Sequence, residues 1–400
     1  MENIKILCNQ LYPDPHLSRV IRENGGRGEL YHSSNGNSVM LFQTESTGDP
    51  LLDSEQDVCG LNSRPYLITD HKYIPSNIIE QLILCKSDFI EKKNVSYHIE
   101  EGFVDKEIII IIPLKGRTDN IRTVLQSFTK DSSIGVIVVE GDTSSTSIKD
   151  ISIEEGCSYI HIEVDEFNKS QCMNVAYSLI YSKTKADWFV FHDADVVLCS
   201  EFKDQIKDRI KRDDLPKFFQ CFANKCVRYF EKNQSKPLRE LISKEGPISG
   251  KNYNSFVESV REIGRINSKP SPGAPGGSIC IHRDIFESIG GYDPEWCLRY
   301  GPEDSMFLIK ANYFYDKVCY DKKHGTCGVH RIETENLDCL GCHLWHPTAT
   351  FGDVSLFATS NLIQDVLINL DERAISLVLK SASLQLDRMK NIYKETVEAT

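Results

Sequence analysis

The sequence has no long apolar stretch: its longest run, Ile108 to Ile112, falls far short of the roughly twenty residues a membrane-spanning helix needs. Its opening, MENIKILCNQ, lacks a basic head followed by an apolar core, so the expectation is a cytoplasmic protein. A surplus of positive charge is missing as well. With 46 Lys and Arg against 58 Asp and Glu the formal net charge is -12, which excludes a broad cationic surface for nucleic acid, because phosphate binding needs clustered cations. The basic residues that do cluster, Lys203, Lys207, Arg209, Lys211 and Arg212, are interrupted by Asp204 and Asp208 and read as a solvated helix face ahead of a membrane-surface contact. No segment recurs at a fixed period. The 14 cysteines come without a secretory signal, so buried or free thiols are expected rather than bridges.

What is present is the balance of an ordinary globular protein, 40% hydrophobic and 26% charged over 400 residues. That length accommodates a catalytic domain of about 250 residues with additions at either end. Residues 1–105 form an uneven N-terminal region, Gly/Ser/Asn-rich from Asn24 to Gly60 and then helical in pattern through Ile78, Leu82 and Ile83; no chemistry can be assigned to it. Residues 106–352 read as the catalytic domain. Within 353–400, Leu362, Ile363, Val366, Leu367, Leu370, Leu377 and Val378 keep a helical period and predict amphipathic helices.

The catalytic domain opens on IIIII running into Pro113, a fully buried strand by composition. A helical spacing at Ile121, Val124, Leu125 and Phe128 follows, then a second strand, Ile134 to Glu140. Tyr159 to Val164 (strand), Ser170 to Tyr181 (helix) and Trp188 to Phe191 (strand) continue the alternation. Such an order predicts an α/β fold with a mostly parallel central sheet flanked by helices, binding ligands beyond the carboxyl ends of its strands. A charged helix is expected from Glu201 to Arg212, and loops and helices serving an acceptor from there to about Pro272.

Three segments carry chemistry. In FHDAD a strand ends in Asp193 and Asp195, two carboxylates one residue apart where the crevice opens, a pattern suited to a hard divalent cation that also holds a diphosphate. Glu303 and Asp304 follow Gly301 and Pro302 and precede an apolar helical stretch, a placement that fits helix capping and catalysis alike. CHLWHP sets His343 and His346 three apart, near enough to share a metal. Cys319, Cys327, Cys339 and Cys342 raise a competing structural zinc site, weakened by the lack of a second CxxC at finger spacing.

In order, PLKGR, FNKSQCMNVA, DAD, the Gly276–Gly277 pair and RYGPED make the span from Ile108 to Pro347 resemble the GT-A glycosyltransferases. It is most similar to the beta-1,4-galactosyltransferase group, with its relatives among bacterial chondroitin-type polymerases and polypeptide N-acetylgalactosaminyltransferases. The resemblance implies a UDP-sugar donor bound by Pro113, Lys115, Arg117, Phe167, Lys169, Asp193 and Gly277, with Asn174 in a supporting helix. It also implies Mn2+ or Mg2+ held by Asp195 with His346 and His343, Asp304 as general base, and Tyr300 and Glu303 facing the acceptor. The reaction so implied is transfer of a hexose or N-acetylhexosamine to a glycan or lipid-linked glycan, inverting if Asp304 is the base. The alternatives are a retaining enzyme of the same fold, a non-catalytic carbohydrate-binding protein, and a nucleotidyltransferase or phosphohydrolase that would use Asp193 and Asp195 but would not require the PED and HLWH segments. Pro302 in place of a glycine, Tyr300 in place of tryptophan and Ser305 in place of an acid depart from the family pattern and leave the acceptor open. The missing membrane anchor suggests work at the inner membrane face.

Overall fold

The computed structural model describes residues 27–32, 38–43, 92–128, 131–165, 167–221, 227–230, 232–260, 277–292, 303–304, 307–308, 310–311, 320–321, 326–327, 337, 339–346 and 372–398. Strands β1 (Arg27–His32) and β2 (Ser38–Gln43) pair antiparallel. The main sheet is built from β3 (Val95–His98), β4 (Ile108–Leu114), β5 (Ile134–Asp142), β6 (Ser158–Glu163), β7 (Trp188–His192), β9 (Phe218–Gln220) and β11 (Ser278–His282). Strands β8 (Val196–Leu198), β10 (Val227–Tyr229) and β14 (Gly341–His343) make a smaller three-stranded sheet, and β12 (Tyr320–Asp321) pairs with β13 (Thr326–Cys327). The helices are α1 (Thr118–Ser127), α2 (Ile148–Glu154), α3 (Lys169–Ile180), α4 (Phe202–Ile210), α5 (Lys232–Glu245), α6 (Gly250–Val260), α7 (Arg283–Ser288) and α8 (Glu372–Glu398).

The main sheet runs β3-β6-β5-β4-β7-β11-β9. Its four central strands, β6, β5, β4 and β7, are mutually parallel, while β3 and β11 run against them, so the fold is α/β with a mostly parallel sheet. The five consecutive isoleucines explain the layering. Side chains alternate across a strand, so Ile108, Ile110 and Ile112 enter the core shared with α1, α2 and α4, while Ile109 and Ile111 enter the core shared with α3, α7 and α8. All five are fully buried.

The expected strands and helices of the alternation are present to within a residue or two at most ends, and α4 occupies the predicted charged helix. The edge strand β3 precedes residue 106 and pairs antiparallel with β6. At the far end, residues 353–371 lie outside the described set. From residue 372 a single helix, α8, buries Ala382, Leu386, Met389 and Tyr393 at helical spacing against α3 and α7. Gly290, at φ 72°, lies under that helix so closely that a Cβ there would fall 2.1 Å from the Ala382 carbonyl carbon. Among the described residues no helix is long and apolar enough to cross a membrane.

Candidate functional site

The site begins where β7 stops. After His192 the chain turns through Asp193, Ala194 and Asp195 into β8, with the Val196 amide donating to the Asp193 carbonyl at 3.3 Å. His192 braces this turn from below. It is fully buried, its Nε2 is 2.8 Å from the Val196 carbonyl and its Nδ1 is 2.9 Å from the Ser278 hydroxyl, which the antiparallel β7–β11 pairing sets opposite it. A carbonyl can only accept, so Nε2 carries the proton and Nδ1 accepts from Ser278. Burial pushes the ring down to about 4, so it stays neutral. The Asp193 amide donates to the Gly277 carbonyl at 3.0 Å, which ties the expected donor-side glycine to the turn.

The smaller sheet delivers the histidines. Because β14 pairs antiparallel with β8, His343 falls opposite Val196, one residue from Asp195, and the Leu344 amide donates to the Asp195 carbonyl at 2.7 Å. Trp345 is fixed at both ends of its peptide: its amide donates to Ser235 Oγ at 2.8 Å, and its carbonyl accepts from Asn120 Nδ2 at 3.2 Å. Arg239 in turn donates to Asn120 at 2.8 Å. The segment so held places His346 Nε2 3.1 Å from one Asp195 oxygen and His343 Nε2 3.5 Å from the other. Among the described residues these three are the group whose ligand atoms could hold a metal ion, all lying within 4.8 Å of one another. Ligands bonded at about 2 Å to a common cation have spacings of this order, so the donor set fits a divalent ion. Burial raises the Asp195 carboxyl, but His346, His343 and Arg117 outweigh it and hold it below its ordinary value. Burial lowers His343 against the pull of Asp195, which favours the neutral imidazole that a metal site needs.

A second cluster adjoins the first through Asp193. Lys169, the first residue of α3, reaches Asp193 at 2.7 Å, Asp304 at 2.9 Å and Glu303 at 3.9 Å. The helix starts there because Asn168 caps it, accepting from the Gln171 amide at 3.0 Å. Glu303 and Asp304 have helical backbone. Burial drives Glu303 up to about 7, with Asp304 adding repulsion, and raises Asp193 to about 6 against the pull of Lys169. Burial alone would lower Lys169, yet Asp193, Asp304 and Glu303 hold it well above its ordinary value. Across both clusters four carboxyl groups, Asp193, Asp195, Glu303 and Asp304, face two cations, Lys169 and Arg117. The acidic groups outnumber the cations, a setting that suits a bound divalent ion.

The remaining expected residues spread outward. Arg117 sits at a left-handed φ of 63° ahead of α1, and its guanidinium lies 3.7 Å from Asp195, so its nearest acidic partner belongs to the histidine cluster. Lys115 pairs with Asp142 at 3.3 Å, beside Phe167, whose ring packs over Gly141. Pro113 is buried within β4, opposite Val139. Asn174 is buried in α3, where its Nδ2 donates to the Tyr292 carbonyl at 2.8 Å and its Oδ1 accepts from the Tyr292 amide at 2.9 Å. Tyr300 and Gly276 lie outside the described residues, as does Cys319. Of the cysteines weighed for zinc, Cys339 lies against Cys199, and neither Cys339 nor Cys342 belongs to a metal-holding group among the described residues. Three contributors are missing from the expected set: His192, Asp142 and Asn120. His192 stood inside the FHDAD motif, but its role depends on Ser278 across the sheet, which only pairing reveals.

No family model matches the chain, and no curated protein matches it. Among solved structures it is similar to glucosyl-3-phosphoglycerate synthase from Mycobacterium tuberculosis in complex with phosphoglyceric acid, at 16% identity and a TM-score of 0.37 over 65% of this chain and 80% of that one. The same synthase in complex with Mg2+ and uridine-diphosphate gives 16% identity and a TM-score of 0.35, over 64% of this chain and 78% of that one. S. aureus TarS 1-349 in complex with UDP-GlcNAc gives 12% and 0.32, over 51% and 53%.

Proposed function

We propose that this chain is a metal-dependent GT-A glycosyltransferase that moves a hexose or N-acetylhexosamine from a UDP-sugar to a hydroxyl of a glycan or lipid-linked glycan, inverting the anomeric carbon. The observation that carries the reading is the meeting of Asp195, His343 and His346 beside the Lys169–Asp193–Asp304 cluster, at the carboxyl end of a parallel sheet. Bound by Asp195, His343 and His346, a divalent ion would supply Lewis acidity to a departing diphosphate. Two imidazoles make Mg2+ the weaker fit and Mn2+ the better one, since Mg2+ favours oxygen ligands.

The chain's own groups divide the remaining work. Lys169 and Arg117 flank Asp193 and Asp195, where their charge answers that of the diphosphate. Lys115, Pro113 and Phe167 stand on the nucleotide side, with Gly277 beside the donor sugar. Asp304 takes the proton of the acceptor hydroxyl, and Glu303 and Tyr300 orient that acceptor. A panel of nucleotide sugars, incubated with Mn2+ with and without glycan acceptors and followed by NMR, tests the proposal. The expected result is Mn2+-dependent consumption of one UDP-sugar, faster with acceptor present and inverted at the anomeric carbon. Consumption of none, or equal turnover after chelation, would rule the proposal out.

A further inference from the structure

Behind the metal ligands lies a pair of thiols that the reading above leaves unused. Cys199 follows directly on β8 and Cys339 lies just before β14, and their sulfurs are 3.2 Å apart. Both side chains are buried. The backbone around them is already locked in register: the Cys199 amide donates to the Leu340 carbonyl at 3.0 Å, continuing the β8–β14 ladder past Leu198 and Gly341. Two sulfurs at this separation, on neighbouring extended segments, need close by only about 1 Å to reach bonding distance. Cys280 and Cys221 are also buried, with thiols raised by burial.

The two sulfurs are not equivalent. Either sulfur can donate in their contact. Cys199 is the attacking thiol because of its access. It lines a cleft of about 600 Å³, with Phe128, Ser200, Phe202 and Lys203, at the end of the sheet away from the Asp195 turn. Cys339 does not line that cleft.

We propose that Cys199 and Cys339 form a reversible redox site, whose reactant is a low-molecular-weight disulfide and whose product is a covalent staple between β8 and the segment carrying His343 and His346. The Cys199 thiolate attacks one sulfur of the small disulfide and expels its partner as a thiolate. Cys339 sulfur then attacks Cys199 sulfur and expels the second small thiolate. The protein pair loses two electrons and two protons, and the small disulfide gains both as two thiols. The staple locks the strand that begins beside Asp195 to the strand that ends at His343.

The test uses the full chain and oxidised glutathione. Peptide mapping under non-reducing conditions is expected to recover a Cys199–Cys339 crosslink that dithiothreitol removes and that Cys199→Ser and Cys339→Ser abolish. Hydrogen exchange of the peptide spanning 339–346 is expected to slow several-fold in the oxidised protein, because the Leu344 amide is held on Asp195 within the stapled ladder. Should the oxidised protein show only glutathione adducts, crosslinks to other cysteines, or unchanged exchange at 339–346, the redox staple is wrong. Each serine variant keeps the native volume closely, and circular dichroism against the parent separates failure to fold from failure to crosslink.

Discussion

Lys169 and Asp304 touch at 2.9 Å; in the proposed reaction one answers a leaving group's charge and the other receives a proton. Asp304→Asn keeps the size and hydrogen-bonding edge but removes the base, so turnover should fall by a factor on the order of a hundred while donor binding changes little, as steady-state kinetics and calorimetry can separate. Removing a ligand reads differently. His346→Ala should weaken Mn2+ binding by at least about tenfold in a titration, with the fold unchanged by circular dichroism. Asp131 tests the electrostatics away from the site. Its partial burial pushes the carboxyl up, but Lys207 at 2.6 Å and Ser133 hold it down to about 2. A carboxyl depressed on folding stabilises the protein above its unfolded value near 4 and loses that contribution as pH falls toward 2. Asp131→Asn should therefore cost about 1–2 kcal/mol at pH 7, and urea titrations of parent and variant should converge between pH 4 and 2. At this scale the sequence marked the acids and imidazoles of DAD, PED and HLWH that the structure brings together. It did not show that Lys169 spans Asp193 and Asp304, or that Arg117 sits on Asp195, because those partners come from segments far apart in the chain.

Elements were legible where they are long and patterned. The isoleucine run, its parallel neighbours and α3 declare themselves by composition, whereas β8 and β14 are three residues each and too short for any periodicity to register. Yet that short pairing aligns His343 with Val196 and so forms the candidate metal group. The terminal helix was expected from a periodic pattern, but its described buried residues, Ala382, Leu386, Met389 and Tyr393, lie further along than the apolar positions that suggested it. Its seat depends on Gly290. Gly290→Ala puts a Cβ into the α8 backbone, which cannot yield as a side-chain tip could, so stability should fall by about 1–3 kcal/mol or more beyond the strain of a left-handed residue. Gly102→Ala, with a similar φ of 78° and open space around it, is the control and should show only that strain, about 1–2 kcal/mol. Equal denaturation midpoints for the two variants would contradict the packing assigned to α8.

Over the whole molecule, a ligand that binds the native state alone adds stability in proportion to the logarithm of its saturation. The preferred UDP-sugar with Mn2+, at a hundred times its dissociation constant, should add about 2.7 kcal/mol, read as a rise in melting temperature that EDTA removes. The same rise with EDTA present would remove the metal from the account. The α/β class could be read from the alternation of strand and helix over residues 108–192, since each element there buries a face against its sequence neighbours. The smaller sheet could not, since β8, β10 and β14 reach one another only across long intervals of chain. That arrangement bears on biosynthesis. A ribosome delivers β4 to β7 early, and they can condense as they emerge, but Asp195 must wait for the HLWH segment, made much later, before its imidazole partners exist. A nascent chain that ends before residue 343 would thus hold most of the main sheet and Asp195, but neither imidazole of the candidate metal group.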